Sequence, residues 1–278
     1  MRRRQLIEIH EQAWCPAAVR EGATDCLQLI AVIGRQFRGA VDPLRRALAH
    51  ADVPRIVDLG AGAGGPWRTL YPALQEATER PIRLVLTDLY PNVSALQAVC
   101  AQAPESISFV AGAVDATNVP VELSGVRTLF TSFHHFAPAT AQAILQDAVD
   151  ARQPIALFEQ THRSLAAMLF MVVLAPIAFL AVPLIRPFRW SRLFWTYLIP
   201  AIPFVLLFDG IVSCWRTYTA AELREMTAGM HEAYEWEVGR VRTALSPLGM
   251  SYLIGYPNEG GEGRKKEGDS VAMSGGGR

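Results

Sequence analysis

Arg55-Ile56-Val57-Asp58-Leu59-Gly60-Ala61-Gly62-Ala63-Gly64-Gly65 decides the fold. Ile56, Val57 and Leu59 form the apolar run of a strand buried in a parallel sheet. The glycines that follow let the backbone turn sharply and approach a ligand where a Cβ would collide. Pro66 sits where the first turn of a helix accepts it, and residues 67–79 carry the helical continuation. Gly60, Gly62 and Gly65 also satisfy the G-x-G-x-x-G spacing of a dinucleotide site, so two ligand classes stay open on the loop alone. Asp58 weighs between them. A carboxylate at the carboxyl end of the strand opposes a pyrophosphate and suits a ligand that carries an ammonium and a sulfonium.

Working outward, further strands end in polar side chains. Residues 82–87 are apolar and β-branched and run into Asp88, whose carboxylate can accept hydrogen bonds from two ribose hydroxyls at once. Residues 107–111 form a third strand, followed by Asp115 and Ala116; an Asx turn at Asp115 is the alternative reading. Residues 126–131 form a fourth and lead into Ser132-Phe133-His134-His135-Phe136. Residues 140–151 read as a helix, and 154–158 as a fifth strand ending in Glu159. Strand and helix alternating in this way predict a doubly wound α/β sheet, with ligands at the carboxyl ends of the strands. Asp58, Asp88, Asp115, His134, His135 and Glu159 all fall at or just past such ends.

Asp58 to Gly64 resemble the first motif of the class I S-adenosylmethionine-dependent methyltransferases, and the resemblance extends from Arg55 to about Glu159. It implies a seven-stranded, mostly parallel sheet with helices on both faces, closed by an antiparallel pair at 234–241 and 250–256. It implies S-adenosylmethionine as cofactor, with Asp58 on the methionine amino group and Gly60, Ala61, Gly62 and Gly64 giving backbone room. Asp88 would hold the ribose, Leu89 would flank the adenine, and Asp115 and Ala116 would meet the adenine edge. His135, less directly His134 or Glu159, would take a proton from a hydroxyl acceptor, since an imidazole titrates near neutrality. Trp14, Arg20, Arg216 and Tyr218 are candidates for the acceptor pocket.

The bulk numbers narrow the function class. The formal net charge is zero over 278 residues, which gives no electrostatic footprint for nucleic acid. The loop after the fourth strand also lacks the aromatic-proline-proline tetrapeptide of nucleic-acid amino methyltransferases. Cys15, Cys26, Cys100 and Cys214 are too scattered for a metal site, so reduced thiols in a cytoplasmic chain are expected. Met-Arg-Arg-Arg is basic, but the charged stretch behind it predicts no cleaved leader. The apolar share of 51% is high for a soluble enzyme.

One segment accounts for the excess. Residues 165–185 carry no charge, enough for a helix of about 32 Å. Arg186, Arg189 and Arg192 follow, then a second apolar run over 193–208, interrupted by Pro200 and Pro203 and closed by Asp209. A spanning hairpin, an interfacial or re-entrant hairpin and a soluble cap over a greasy acceptor are the three readings, and the arginine turn favours the second. The chain thus divides into an N-terminal helical cap (1–52), a cofactor-binding half (53–160), the apolar helical insertion (161–213), a last helix and two strands (214–257) and a low-complexity tail (258–278) expected to be disordered. The function this predicts is methyl transfer, with O-methylation favoured, to a small lipophilic or lipid-like acceptor, with membrane contact through 165–208. The rivals are an NAD(P)-dependent oxidoreductase, which leaves Asp58 unexplained, and a non-enzymatic membrane adaptor, which leaves the acids unexplained. Oligomeric state is not legible.

Overall fold

The structure, a computed structural model, describes residues 1–186, 188–230, 234–243 and 247–258. Its strands are β1 (Arg55–Leu59), β2 (Arg83–Thr87), β3 (Ile107–Phe109), β4 (Val126–Phe130), β5 (Ile155–Glu159), β6 (Tyr234–Val241) and β7 (Met250–Pro257). They form one sheet in the order β3-β2-β1-β4-β5-β7-β6. The first five are parallel, and β7 runs antiparallel to both β5 and β6. The α/β sheet is therefore the expected one, with a single reversed strand inside its far edge. The low-complexity tail from 259 and part of the β6–β7 connection lie outside the described residues.

Alternation along the strands builds two cores. Ile56, Leu84, Leu86, Val126, Ala156 and Phe158 bury one face under α2 (Val41–Ala49), α3 (Trp67–Glu76) and α4 (Val93–Cys100). Val57, Leu59, Leu129, Ile155, Leu157 and Leu253 bury the other under α5 (Pro138–Asp150) and α9 (Ala220–Thr227). Helix α3 stops three residues short of the expected end. Gln75 turns the chain there, accepting from the Ile82 amide at 2.9 Å while its amide donates to the Arg80 carbonyl at 3.2 Å. Thr219 and Glu222 form a complete capping box at the start of α9.

The N-terminal region differs from the expectation of helices over 5–50. Residues 1–16 form an irregular strap of turns, and the first helix is α1 (Ala17–Ile33). The strap's polar groups are committed to tertiary partners instead: the Ile9 and His10 amides donate to the Asp209 carboxylate at 2.7 and 3.0 Å. Pro43 is no break in this region. It lies in the first turn of α2, where a proline removes no helical hydrogen bond.

Between β5 and α9 the apolar segment forms α6 (Leu165–Ala181), a short α7 (Trp190–Leu193) running into a π-turn over Phe194–Leu198, and α8 (Ala201–Arg216). Helix α8 continues past Asp209, which the sequence placed at its end, because that carboxylate is buried and hydrogen-bonded to the strap. Cys15, Val19, Ala23 and Cys26 of the strap and α1 pack with Val182, Ile185, Ile202 and Val205 of the insertion. Cap and insertion are thus one helical layer.

Candidate active site

The glycine loop is built by backbone conformation. Gly60, Gly62, Gly64 and Gly65 all have positive φ, at 77°, 54°, 97° and 48°. The Gly60 and Ala61 amides both donate to the Thr87 carbonyl, at 3.0 and 2.9 Å, which pins the loop to the end of β2. Two glycines have separable reasons. A Cβ on Gly64 would strike Val99 Cγ2 of α4 at 2.3 Å, whereas a Cβ on Gly62 would meet nothing within 4 Å. The space above Gly62 is open. Ser132 Oγ lies 3.8 Å from where a Cβ on Gly60 would stand; it and the buried Thr131 Oγ1 have no hydrogen-bond partner among the described residues, and Thr131 itself is held at a φ of 49°.

Asp88 closes the other side of this space. Its Oδ2 accepts from the Gly62 amide at 2.7 Å and its Oδ1 from the Tyr90 amide at 2.8 Å. Both oxygens retain a second lone pair for a ligand hydroxyl. Leu89 is exposed next to it. Asp115 is exposed and closes an Asx turn, its Oδ1 accepting from the amide and hydroxyl of Thr117, both at 2.8 Å. Ala116 packs against the second core.

Asp58 lies beneath the loop. It is a register partner of Thr128 on β4, so the two side chains leave the same face of the sheet. Oδ1 accepts from the Thr128 hydroxyl at 2.7 Å and Oδ2 from the Trp67 indole N–H at 2.8 Å. Burial pushes the carboxyl up to about 7, against the two hydrogen bonds that favour its charged form and with help from the Asp88 charge. Both oxygens are thus engaged by the protein itself. Asp58 is seated to act on a ligand through its charge and through the position of Trp67, at the first turn of α3.

Past β4 the chain makes a short 3-10 turn over Phe133–His135. His134 is buried, with Nδ1 2.8 Å from Glu159 Oε2 and its amide donating to Glu159 Oε1 at 3.0 Å. His135, partly exposed, bonds through Nδ1 to Glu11 of the strap. Burial lowers the His135 pKa, as does the neighbouring His134, against the hydrogen bond to Glu11. Glu11 is held at about 2 despite its burial, by hydrogen bonds from His135 and Arg216.

Of the acceptor-pocket candidates, Tyr218 lines a small pocket with Phe133, Glu159 and Tyr252, and the others engage the strap and the histidine loop or stand exposed. Arg216 is buried and reaches Glu11 Oε2 at 2.9 Å and the His135 carbonyl at 2.7 Å. The Tyr218 hydroxyl donates to the Phe136 carbonyl at 2.8 Å, under the guanidinium of Arg3. Arg20 donates to the carbonyls of His10 and Gln12, at 2.8 and 2.7 Å, and so holds the strap's turn. Trp14 is 69% exposed.

Four participants escaped the sequence reading: Glu8, His10, Glu11 and Asp209. Glu8 is wholly buried above the histidine pair and its hydroxyl partner is Ser213 at 2.8 Å. One signal was available. Asp209 is a lone carboxylate inside an apolar run, and a buried acid needs partners.

No protein-family model matches the chain, and no curated protein is similar to it in sequence. Solved structures do match in shape. The plantazolicin methyltransferase BpumL, in complex with S-adenosylhomocysteine (SAH), superimposes with a TM-score of 0.56 at 10% identity, over 90% of this chain and 94% of that one. The fold is that of a class I S-adenosylmethionine-dependent methyltransferase. The O-methyltransferase NcsB1 of neocarzinostatin biosynthesis, with S-adenosylmethionine and 2-hydroxy-5-methyl naphthoic acid, gives a TM-score of 0.50 at 16% identity over 87% of this chain. This chain spans 58% of NcsB1 and 54% of the pyocyanin biosynthetic protein PhzM.

Proposed function

We propose that the protein transfers a methyl group from S-adenosylmethionine to a small lipophilic acceptor, with a hydroxyl oxygen as the favoured target. The observation that carries this is the sheet order, with β7 reversed between β5 and β6. A dinucleotide enzyme of the doubly wound type runs 3-2-1-4-5-6 instead. The site fits a nucleoside cofactor. The space above Gly62 is open, the Ser132 and Thr131 hydroxyls lack partners, and Asp88 has lone pairs for two ribose hydroxyls. When bound, S-adenosylmethionine supplies an activated methyl on a positive sulfur. The chain aligns acceptor and donor and keeps water out. Asp88 binds the ribose, Leu89 flanks the adenine beside the Asp115–Ala116 turn, and Asp58 supplies negative charge under the methionine end. A hydroxyl acceptor sheds its proton to the cluster of His135, His134 and Glu159.

The same reading places the enzyme at a bilayer surface. The 20-residue helical run Leu165–Leu184 contains an 18-residue stretch with a mean hydropathy of 2.7, yet only 12% of that stretch is buried. The next helical pair is bent by 74°, as in an interfacial or re-entrant element. An apolar acceptor dissolved in that bilayer would reach the strap and the histidine loop along the same layer.

Calorimetric titration of the full chain with SAH, with NADH as control, tests the cofactor assignment. SAH binds and NADH does not. Asp88→Ala weakens SAH by about 10- to 100-fold, the worth of hydrogen bonds to a charged group. Undiminished SAH affinity in Asp88→Ala would remove the ribose assignment, and no SAH binding by folded protein would remove the function.

A further inference from the structure

We propose that Glu8, His134 and His135 bind a divalent transition-metal ion of the zinc class. One ligand atom from each of the first three lies within 4.8 Å of the others. His134 Nε2 is 3.8 Å from Glu8 Oε1, and His135 Nδ1 is 3.5 Å from Glu8 Oε2, so that an ion bound there would displace the proton that His135 Nδ1 shares with Glu11. These separations are long for hydrogen bonds. They are close to the spacing of about 3.3–3.5 Å between donors that share a tetrahedral ion at 2.0–2.1 Å. Glu8 is wholly buried, and its Oε2, 3.5 Å from His135 Nδ1 and 3.7 Å from His10 Nδ1, has no hydrogen-bond partner among the described residues.

Hydrogen placement strengthens the reading. Glu159 accepts from the His134 amide and faces Nδ1, which turns Nε2 toward Glu8. This is the carboxylate–histidine arrangement that orients metal-binding imidazoles. An imidazole nitrogen and a carboxylate that face each other in a buried site share either a proton or a cation. Charge points the same way. Glu8, Glu11, Glu159 and Asp209 converge here, with His10 Nδ1 on Asp209 at 2.8 Å and 3.7 Å from Glu8. Of the guanidiniums around them, Arg216 meets Glu11 at 2.9 Å and Glu8 at 3.5 Å, whereas the hydrogen bonds of Arg3 and Arg20 go to backbone carbonyls. The remaining negative charge is balanced by histidine protons or by a dication. A dication would also fasten the strap, through Glu8, to the loop that follows β4.

The test uses full-length protein stripped with a chelator and dialysed, titrated with zinc chloride by calorimetry and with cobalt(II) by visible absorption. The expected result is one equivalent of zinc and cobalt d–d bands of a nitrogen-and-oxygen site. Glu159→Gln, a positioning change, weakens zinc by 10- to 100-fold, and Glu8→Gln by at least as much. Zinc also slows tryptic cleavage after Arg3 and Arg4 in the wild-type chain, a readout that needs no variant to fold. Less than one equivalent bound by folded wild type, no cobalt bands, or Glu8→Gln binding zinc as wild type does would overturn the site and leave histidine protons as the balancing charge. The outcome is independent of methyl transfer: a chain that takes up zinc but not SAH keeps the metal site and loses the proposed function.

Discussion

The sheet half and the helical insertion are built from the same residue types and treat them oppositely. Ile56, Val57 and Leu59 of β1 are at most 1% exposed, whereas Leu165, Val173 and Leu180 of α6 are 67%, 62% and 74% exposed. Burial of a large apolar side chain contributes about 1.5–3 kcal/mol, so the sheet half is stabilised by its apolar residues and the outer face of the insertion is not. Composition therefore says little about where stability lies. The partner that an apolar face meets decides it, and among the described residues the outer face of α6 meets none.

The strongest way to break the comparison is to remove one buried side chain from the sheet half. Trp67 is fully buried, packs edge-on against Phe130 and donates to Asp58. Trp67→Ala leaves a cavity and an unsatisfied carboxylate, and should lower unfolding free energy by about 3–5 kcal/mol in urea titration. A loss under 1 kcal/mol would mean that the loop-bearing end of the sheet is loosely packed, like the insertion.

The same contrast explains what was legible in the sequence. Strand ends were readable because a buried parallel strand is a short apolar run, and Asp58, Asp88 and Glu159 mark where each run stops. The reversed β7 was foreseen only through family resemblance, since an alternating strand carries no sign of its direction. The strap was misread as helix because its apolar spacing is helix-like, while its structure is set by long-range bonds from Arg3, Glu8 and Glu11 to residues more than 100 positions away. No local pattern encodes those pairs. Arg216 and Tyr218 were picked out as polar residues near a helix start, and their neighbours turned out to be the histidine loop and the strap.

A smaller effect sharpens the comparison at Asp58, a charge the sheet half has buried. Its carboxyl is raised from 3.8 to about 7, so between these values the native state holds a proton that the unfolded chain has lost. Its contribution to stability is therefore largest below about pH 4 and falls as pH rises to 7. The ionised form above pH 7 favours a cationic ligand. The ratio of S-adenosylmethionine to SAH affinity should rise by up to about tenfold from pH 6 to 8, because only the former carries the sulfonium charge. Asp58→Asn keeps an acceptor for the Trp67 indole and should flatten both dependences. A ratio that does not move with pH in the wild type would mean that Asp58 acts on Trp67 and Thr128 alone.

The smallest expected effect on stability is the most informative about the insertion. Leu180 sits on α6 in the run whose mean hydropathy is 2.7, with its side chain facing outward. Leu180→Ser removes little that is buried, so in aqueous buffer it should change unfolding free energy by no more than about 0.5 kcal/mol. On anionic vesicles the same change should weaken sedimentation binding by roughly tenfold, because a leucine that enters lipid contributes over 1 kcal/mol there. Arg186 and Arg189, on the turn that follows α6, add attraction to anionic headgroups, which 0.5 M salt should screen. If the substitution instead costs 2 kcal/mol or more in buffer and leaves vesicle binding untouched, the outer face of α6 is packed against protein, most simply a second copy of the chain. The two halves would then follow one rule of burial, with the insertion's partner supplied by assembly.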